Sequence, residues 1–284
     1  MKALAVLCAT LVAADACFRA KHKVEWDNLR VTWTGNPFNR KLFTAMPRDL
    51  NHDDHDGFVL KDDYCETTGP WKGRRYWKDE DPALILLFDV NGYIAGLQTA
   101  VPKSQYTPPV KQQGKSYIDD GDYWTITVYF VEPARICEGG RTASEFASQG
   151  TGSQLHLQLT ADPLESTAIA FRQRDFDRQD NGWTKMKCFF GMGRHYWYKV
   201  HKDMDCDDFV PIFLLFSKRR LRGFGFNILK SIEQKGSRYE DVPPVAVALI
   251  MKWSKIPKCF KNVPTKTTTS MHVYLHDKPR RNFC

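Results

Sequence analysis

The sequence predicts a mostly β protein, built as two tandem homologous antiparallel β-sheet domains and stapled by disulfides. Three observations carry this expectation. Short stretches alternate apolar and polar residues, Asn91-Gly92 lies between two apolar runs, and a set of short motifs occurs twice in the same order along the 284 residues. Alternation with period two places apolar side chains on one face of a strand. Asn-Gly supplies two residues that tolerate positive φ in a tight hairpin. One large β-barrel or sandwich built from both repeats is the alternative architecture.

The elements follow in chain order. Lys2, then the apolar run Ala3–Ala14, then the small residues around Asp15 read as a secretory signal peptide over 1–16, too short to span a bilayer. Residues 17–27 form an N-terminal segment. Leu29–Trp33 alternates, as do Trp124–Phe130 and Leu155–Leu159, so each is expected as a strand. Leu84–Phe88 is continuously apolar, Asp89–Gly92 is the turn, and Tyr93–Leu97 returns. A second hairpin is expected from Ile212–Phe216 and Leu221–Phe226 around Ser217–Arg220. Helical patterning is confined to short pieces, such as Thr142–Ser148 and Ile228–Gln234.

Self-comparison yields the repeats. Gly73-Arg74-Arg75-Tyr76-Trp77 recurs as Gly193-Arg194-His195-Tyr196-Trp197, and Leu86-Leu87-Phe88 recurs as Leu214-Leu215-Phe216. Cys65 answers to Cys188, Pro133…Cys137 to Pro257…Cys259, and His156 to His272. The expected units are 28–163 and 166–284, with Asp162–Glu165 between them. Each has the length of an autonomous domain.

Composition bounds the class. Hydrophobic residues at 42% and charged residues at 26% exclude a disordered or collagen-like chain. Eight Trp must fill cores or line a pocket. The net charge of +8 favours anionic partners. Outside the cell these are sulfated glycans or lipid surfaces, and nucleic acid is not expected. No segment reaches the length of a transmembrane helix.

A secreted chain keeps its cysteines oxidised. Cys8 leaves with the signal, and Cys17 beside the cut is the odd one. If the repeats share a fold, Cys65–Cys137 and Cys188–Cys259 are equivalent bridges, and Cys206–Cys284 remains.

Chemistry is expected where the repeats differ. His195 replaces Arg75 and stands beside Arg194, Tyr196 and Tyr198, followed by an acidic insert that includes His201, Asp203, Asp205, Asp207 and Asp208. A titratable His near Tyr and carboxylates suits general acid–base work or a divalent ion, and a solvated acidic loop is the plainer alternative. His195, Tyr196 and Tyr198 are therefore the catalytic candidates. The stretch Asp49–Gly57 offers oxygen ligands but lacks the EF-hand pattern, and Asp119–Asp122 reads as a turn into a strand. Lys218, Arg219, Arg220 and Arg222 put four cations on one hairpin, and with Arg194 they are the ligand-binding candidates.

No nucleophile elbow, zinc-protease, P-loop or dinucleotide fingerprint is present, and nothing names a cofactor. The expectation is a secreted binding protein with a basic face or aromatic pocket for an anionic or small ligand. The alternative is a secreted enzyme using the second repeat. It would be an oxidoreductase or luciferase-type oxygenase on a small aromatic substrate, or a metal-assisted hydrolase.

Overall fold

The structure, a computed structural model, describes residues 24–36, 38–52, 55–233, 236, 238–261 and 267–284. The expected signal peptide, with Cys8, and Cys17 lie outside the described residues.

The strands of the first half of the chain are β1 (Arg30–Val31), β2 (Thr44–Ala45), β3 (Val59–Asp63), β4 (Arg74–Trp77), β5 (Ile85–Phe88), β6 (Ile94–Pro102), β7 (Ile118–Asp120), β8 (Tyr123–Tyr129) and β9 (Leu155–Leu157). Then come β10 (Thr167–Ile169), β11 (Trp183–Phe189), β12 (Gly193–Tyr198), β13 (Ile212–Ser217), β14 (Arg220–Ile228), β15 (Glu240–Val242) and β16 (Thr268–Tyr274). Short helices interrupt them: α1 (Pro133–Cys137), α2 (Ala143–Gln149), α3 (Gln173–Arg178), α4 (Pro244–Ile250) and α5 (Lys258–Lys261).

The strands form two eight-stranded antiparallel sheets. One has the order β10-β9-β8-β6-β5-β4-β3, with β7 also on β8. The other has the order β11-β12-β13-β14-β16-β1-β2, with β15 also on β16. Both sheets are open, which rules out the closed-barrel alternative. The strands do not divide along the chain at residues 162–165. β1 and β2 complete the second sheet, and β10 edges the first.

Strand order and register run in parallel through the two sheets. Arg75 faces Leu87 as His195 faces Leu215. Gly96 faces Tyr129 as Gly223 faces Tyr274, and the ladder shifts after Leu87 and after Leu215. Position by position, His195 lies where the first sheet has Arg75, Gly225 where it has Gln98, and His272 where it has Thr127. The sequence comparison had set His272 against His156, which instead lies on β9 facing Tyr129 and Ala168. Both histidines alternate with apolar residues along a strand, a local likeness that does not extend to their place in the sheets.

Apolar runs in β5 and β13 are continuous because both of their faces are covered. Leu86, Phe88, Leu214 and Phe216 enter a core that both sheets share, while Leu87 and Phe213 enter separate outer clusters. The turn at Asp89 is held by its buried carboxylate, which accepts backbone N–H groups of Asn91, Tyr93 and Arg141 at 3.0 Å each. Gly92 supplies φ +82° there. The second hairpin turns on Lys218 and Arg219, at φ 50° and 62°, so Arg220 is already paired with Ser217.

Two expectations are corrected. Ile228–Gln234 is not helical over its described residues. Ile228 ends β14, and Ile232 instead donates its N–H to the Thr269 hydroxyl. Tertiary hydrogen bonding to β16 overrides a weak helical pattern. The bridges are Cys65–Cys137, Cys188–Cys284 and Cys206–Cys259, so the two C-terminal expectations exchange partners. The reason is topological. Cys137 follows β8, and the segment following β16, the strand at the same place in the second sheet, ends at Cys284. Asn282 and Phe283 pair with Gly191 and Lys218, which brings Cys284 to β11.

Candidate functional site

The site lies on the outer face of the second sheet, where the first sheet has a filled position. There Arg75, 2% exposed, donates to Gln98 at 2.9 Å and to both oxygens of Asp120 at 3.3 and 2.5 Å. Gln98 donates to Thr127 at 2.9 Å, and the guanidinium carbon lies 4.6 Å from the Trp71 ring centroid. The Arg75 guanidinium and the Gln98 amide are both paired, so their network is structural, while Trp71 Nε1 has no hydrogen-bond partner among the described residues.

The second sheet replaces this plug with shorter or different groups. His195 stacks on Trp197 at 5.3 Å, and Gly225 leaves room for the Phe213 ring. A Cβ at Gly225 would come within 2.1 Å of that ring, so glycine is required for Phe213 to lie flat on the sheet. A cavity of about 460 Å³ results, roofed by α4 and floored by β13, β14 and β16. Trp33, Phe189, Trp197, Phe213, Val247 and Phe260 give it a largely apolar wall.

Its polar lining includes the pair Glu240–His272. The ring Nδ1 is 2.8 Å from Glu240 Oε2, while Glu240 Oε1 accepts the Trp33 N–H at 2.9 Å. A carboxylate on Nδ1 places the proton there and leaves Nε2 as the basic nitrogen. His272 Nε2, Asn227 Oδ1 and Trp197 Nε1 are buried with no hydrogen-bond partner among the described residues, and all three residues line the cavity. Two acceptors and one donor are thus free in an apolar enclosure.

The expected catalytic trio is not assembled. His195 and Tyr196 are strand neighbours and face opposite sides: Tyr196 enters the shared core, where its hydroxyl donates to Asp177 at 2.7 Å. Tyr198 sits on the Tyr196 side, against Trp183. His195 is fully buried, and burial first, then the neighbouring His272, holds it well below the usual imidazole range. Its ring packs against Trp197 and Phe213.

The insert builds a bridge between the halves. Lys111 pairs with Asp205 at 2.6 Å and Asp208 at 3.3 Å, and the Asp207 carbonyl accepts from Gln112. Tyr198, His201, Asp205 and Asp208 line a polar-walled recess of about 540 Å³. No group of three His, Cys, Asp or Glu placed to hold a metal exists among the described residues. In the other acidic stretches, Asp49 accepts from the Asn51 N–H, Asp56 pairs with Lys78, and Asp119 pairs with Lys103.

The basic hairpin is partly neutralised. Arg220 and Arg222 both pair with Glu25, the second at 2.9 Å. Lys218 lies 4.8 Å over the Phe283 ring, Arg219 is exposed, and Arg194 donates to the Met186 carbonyl. The five candidates therefore do not form one open cationic face. Sequence reasoning missed Glu240, Asn227 and Trp33. A His in an alternating strand was visible, but its carboxylate partner lies 32 residues away on β15.

No protein-family model matches this chain, and neither a curated protein nor a solved structure matches it. By architecture the chain is a disulfide-bonded pair of open antiparallel sheets with an apolar cavity beneath α4.

Proposed function

We propose that the protein binds a small, uncharged, mainly aromatic compound in the cavity beneath α4, with the polar edge of the ligand at His272 and Asn227. The carrying observation is an apolar enclosure of about 460 Å³ with unpaired buried acceptors on one wall. Ligand pockets commonly span about 300–1,000 Å³, with a few polar groups fixing orientation. An N–H or O–H on the ligand would satisfy His272 Nε2, removing a desolvation penalty of about 1–3 kcal/mol. The basic hairpin supports an anionic ligand less well, because Glu25 answers two of its cations.

N-phenyl-1-naphthylamine, neutral and fluorescent, is the probe. Its emission should rise on binding and should quench Trp33 and Trp197. Ala246→Trp, which fills the cavity from α4, should weaken binding at least about tenfold, since affinity depends on the enclosed contact surface. Unchanged affinity in that variant would place the probe elsewhere.

The Glu240–His272 pair also favours a second reading. A carboxylate-oriented imidazole is a general base. The same cavity would then serve a luciferase-type oxygenase or another enzyme that removes a proton from a ring substrate, through His272 rather than His195. His272→Gln should then abolish turnover yet keep probe binding.

We infer that the chain works outside the cell, supported by three disulfides and by the absence, among the described residues, of a helix able to cross a membrane. We also infer that units near 28–163 and 166–284 arose by tandem duplication. The shared strand order and ladder shifts support that reading.

A further inference from the structure

The cover of the cavity has a second face. Val247 and Met251 point into the outer core, while Val245 is 75% exposed, Leu249 57% and Trp253 70%. Val245 and Leu249 lie one turn apart on α4, and Trp253 opens the short turn that follows the extended backbone at Met251 and Lys252. Lys252, Lys255 and Lys258 are exposed on the same short segment, with no acidic residue between Pro243 and Lys261. Leu249 belongs to both surfaces, since it also lines the cavity.

We propose that this face docks on anionic lipid bilayers, with Val245, Leu249 and Trp253 inserted at the headgroup level and the lysines on lipid phosphates and carboxylates. The inference rests on the cavity being a site for an apolar ligand, which could then pass between bilayer and protein without crossing water. The chemistry favours a membrane over a protein groove. Trp is enriched at the depth where headgroups meet acyl chains. Apolar side chains ringed by Lys are the pattern of interfacial segments. The net charge of +8 adds long-range attraction to an acidic surface. Each lysine near such a surface contributes roughly a fivefold gain in binding.

The test is sedimentation of the full chain with vesicles of phosphatidylcholine, alone or mixed with phosphatidylserine. Wild-type protein should pellet with the mixed vesicles and be released as salt rises, because the Debye length shortens. Val245→Asp with Trp253→Ser should lose at least about tenfold. Lys252→Glu, Lys255→Glu and Lys258→Glu together should lose more, and more than Lys218→Glu with Arg219→Glu on the basic hairpin. Probe binding without vesicles should persist in the Val245/Trp253 variant, since neither residue lines the cavity, and it also reports correct folding.

Failure of the wild type to pellet would overturn the proposal, as would pelleting that ignores both cover variants. A dimer that the Val245/Trp253 variant converts to monomer would overturn it in favour of self-association. Vesicle binding without any probe binding would instead remove the cavity reading and leave the docking face standing.

Discussion

Buried histidines favour the folded state less as the pH falls. His276 is 9% exposed, and burial, reinforced by Arg222, lowers it to about 4. The unfolded chain protonates this ring near 6.5. Between pH 6.5 and about 4 the unfolded state therefore holds more protons than the folded state, so stability falls as pH falls through that window. At about 1.36 kcal/mol per pH unit the loss from this residue is about 3 kcal/mol. His195 and His156, both lowered first by burial, add in the same direction. Urea unfolding at several pH values should show a steep decline below about pH 6. His276→Gln should flatten it, and an unchanged slope would assign the acid sensitivity to other groups. The histidines are plain in the sequence, but their burial is not. His276 sits beside Lys278 near the chain end, where exposure is the ordinary expectation.

At the scale of elements, the cover of α4 and α5 takes no part in either sheet ladder. α4 and α5 are short, so their stability comes from packing on the outer face of the second sheet. Three ties hold them: Lys187 Nζ on the Ala248 carbonyl, the Phe209–Phe260 contact at 5.2 Å, and Cys206–Cys259. The bridge closes a chain separation of 53 residues, and removing such a constraint costs about 2–5 kcal/mol. Cys206→Ser with Cys259→Ser should speed amide exchange in α4 more than in β13. Probe affinity should fall, because the roof is no longer pre-positioned. Equal exchange across both elements would show that the bridge stabilises the whole chain rather than its cover. The insert that carries Cys206 was legible as a departure between the repeats. Its purpose was not, because a disulfide partner is a matter of space.

The whole molecule is held by one shared core. Phe130 of the first half meets Phe224 of the second at 6.0 Å, and Trp26 Nε1 donates to the Leu221 carbonyl. Residues 166–284 produced alone would lack β1 and β2, uncovering the edge of β16 and the inner face of the sheet. Exposed edges and large apolar faces drive association. That fragment is expected to aggregate or to give broad, collapsed amide spectra, and to recover dispersion only when mixed with 1–165. A well-dispersed monomer would establish an autonomous unit.

The sequence by itself determined the strand-rich class, both hairpins, the six bridging cysteines and the two motif sets that reappear at matching registers. These are local properties: alternation, turn chemistry and residue type act over a few residues. Tertiary structure alone decided which cysteines join, which sheet takes β1 and β2, and where His195 and His272 face. It also decided that Glu240 reaches His272 and that Glu25 quiets the basic hairpin. Each joins residues distant in the chain, and the energies that select them come from burial and pairing in three dimensions. No spacing in one dimension encodes them.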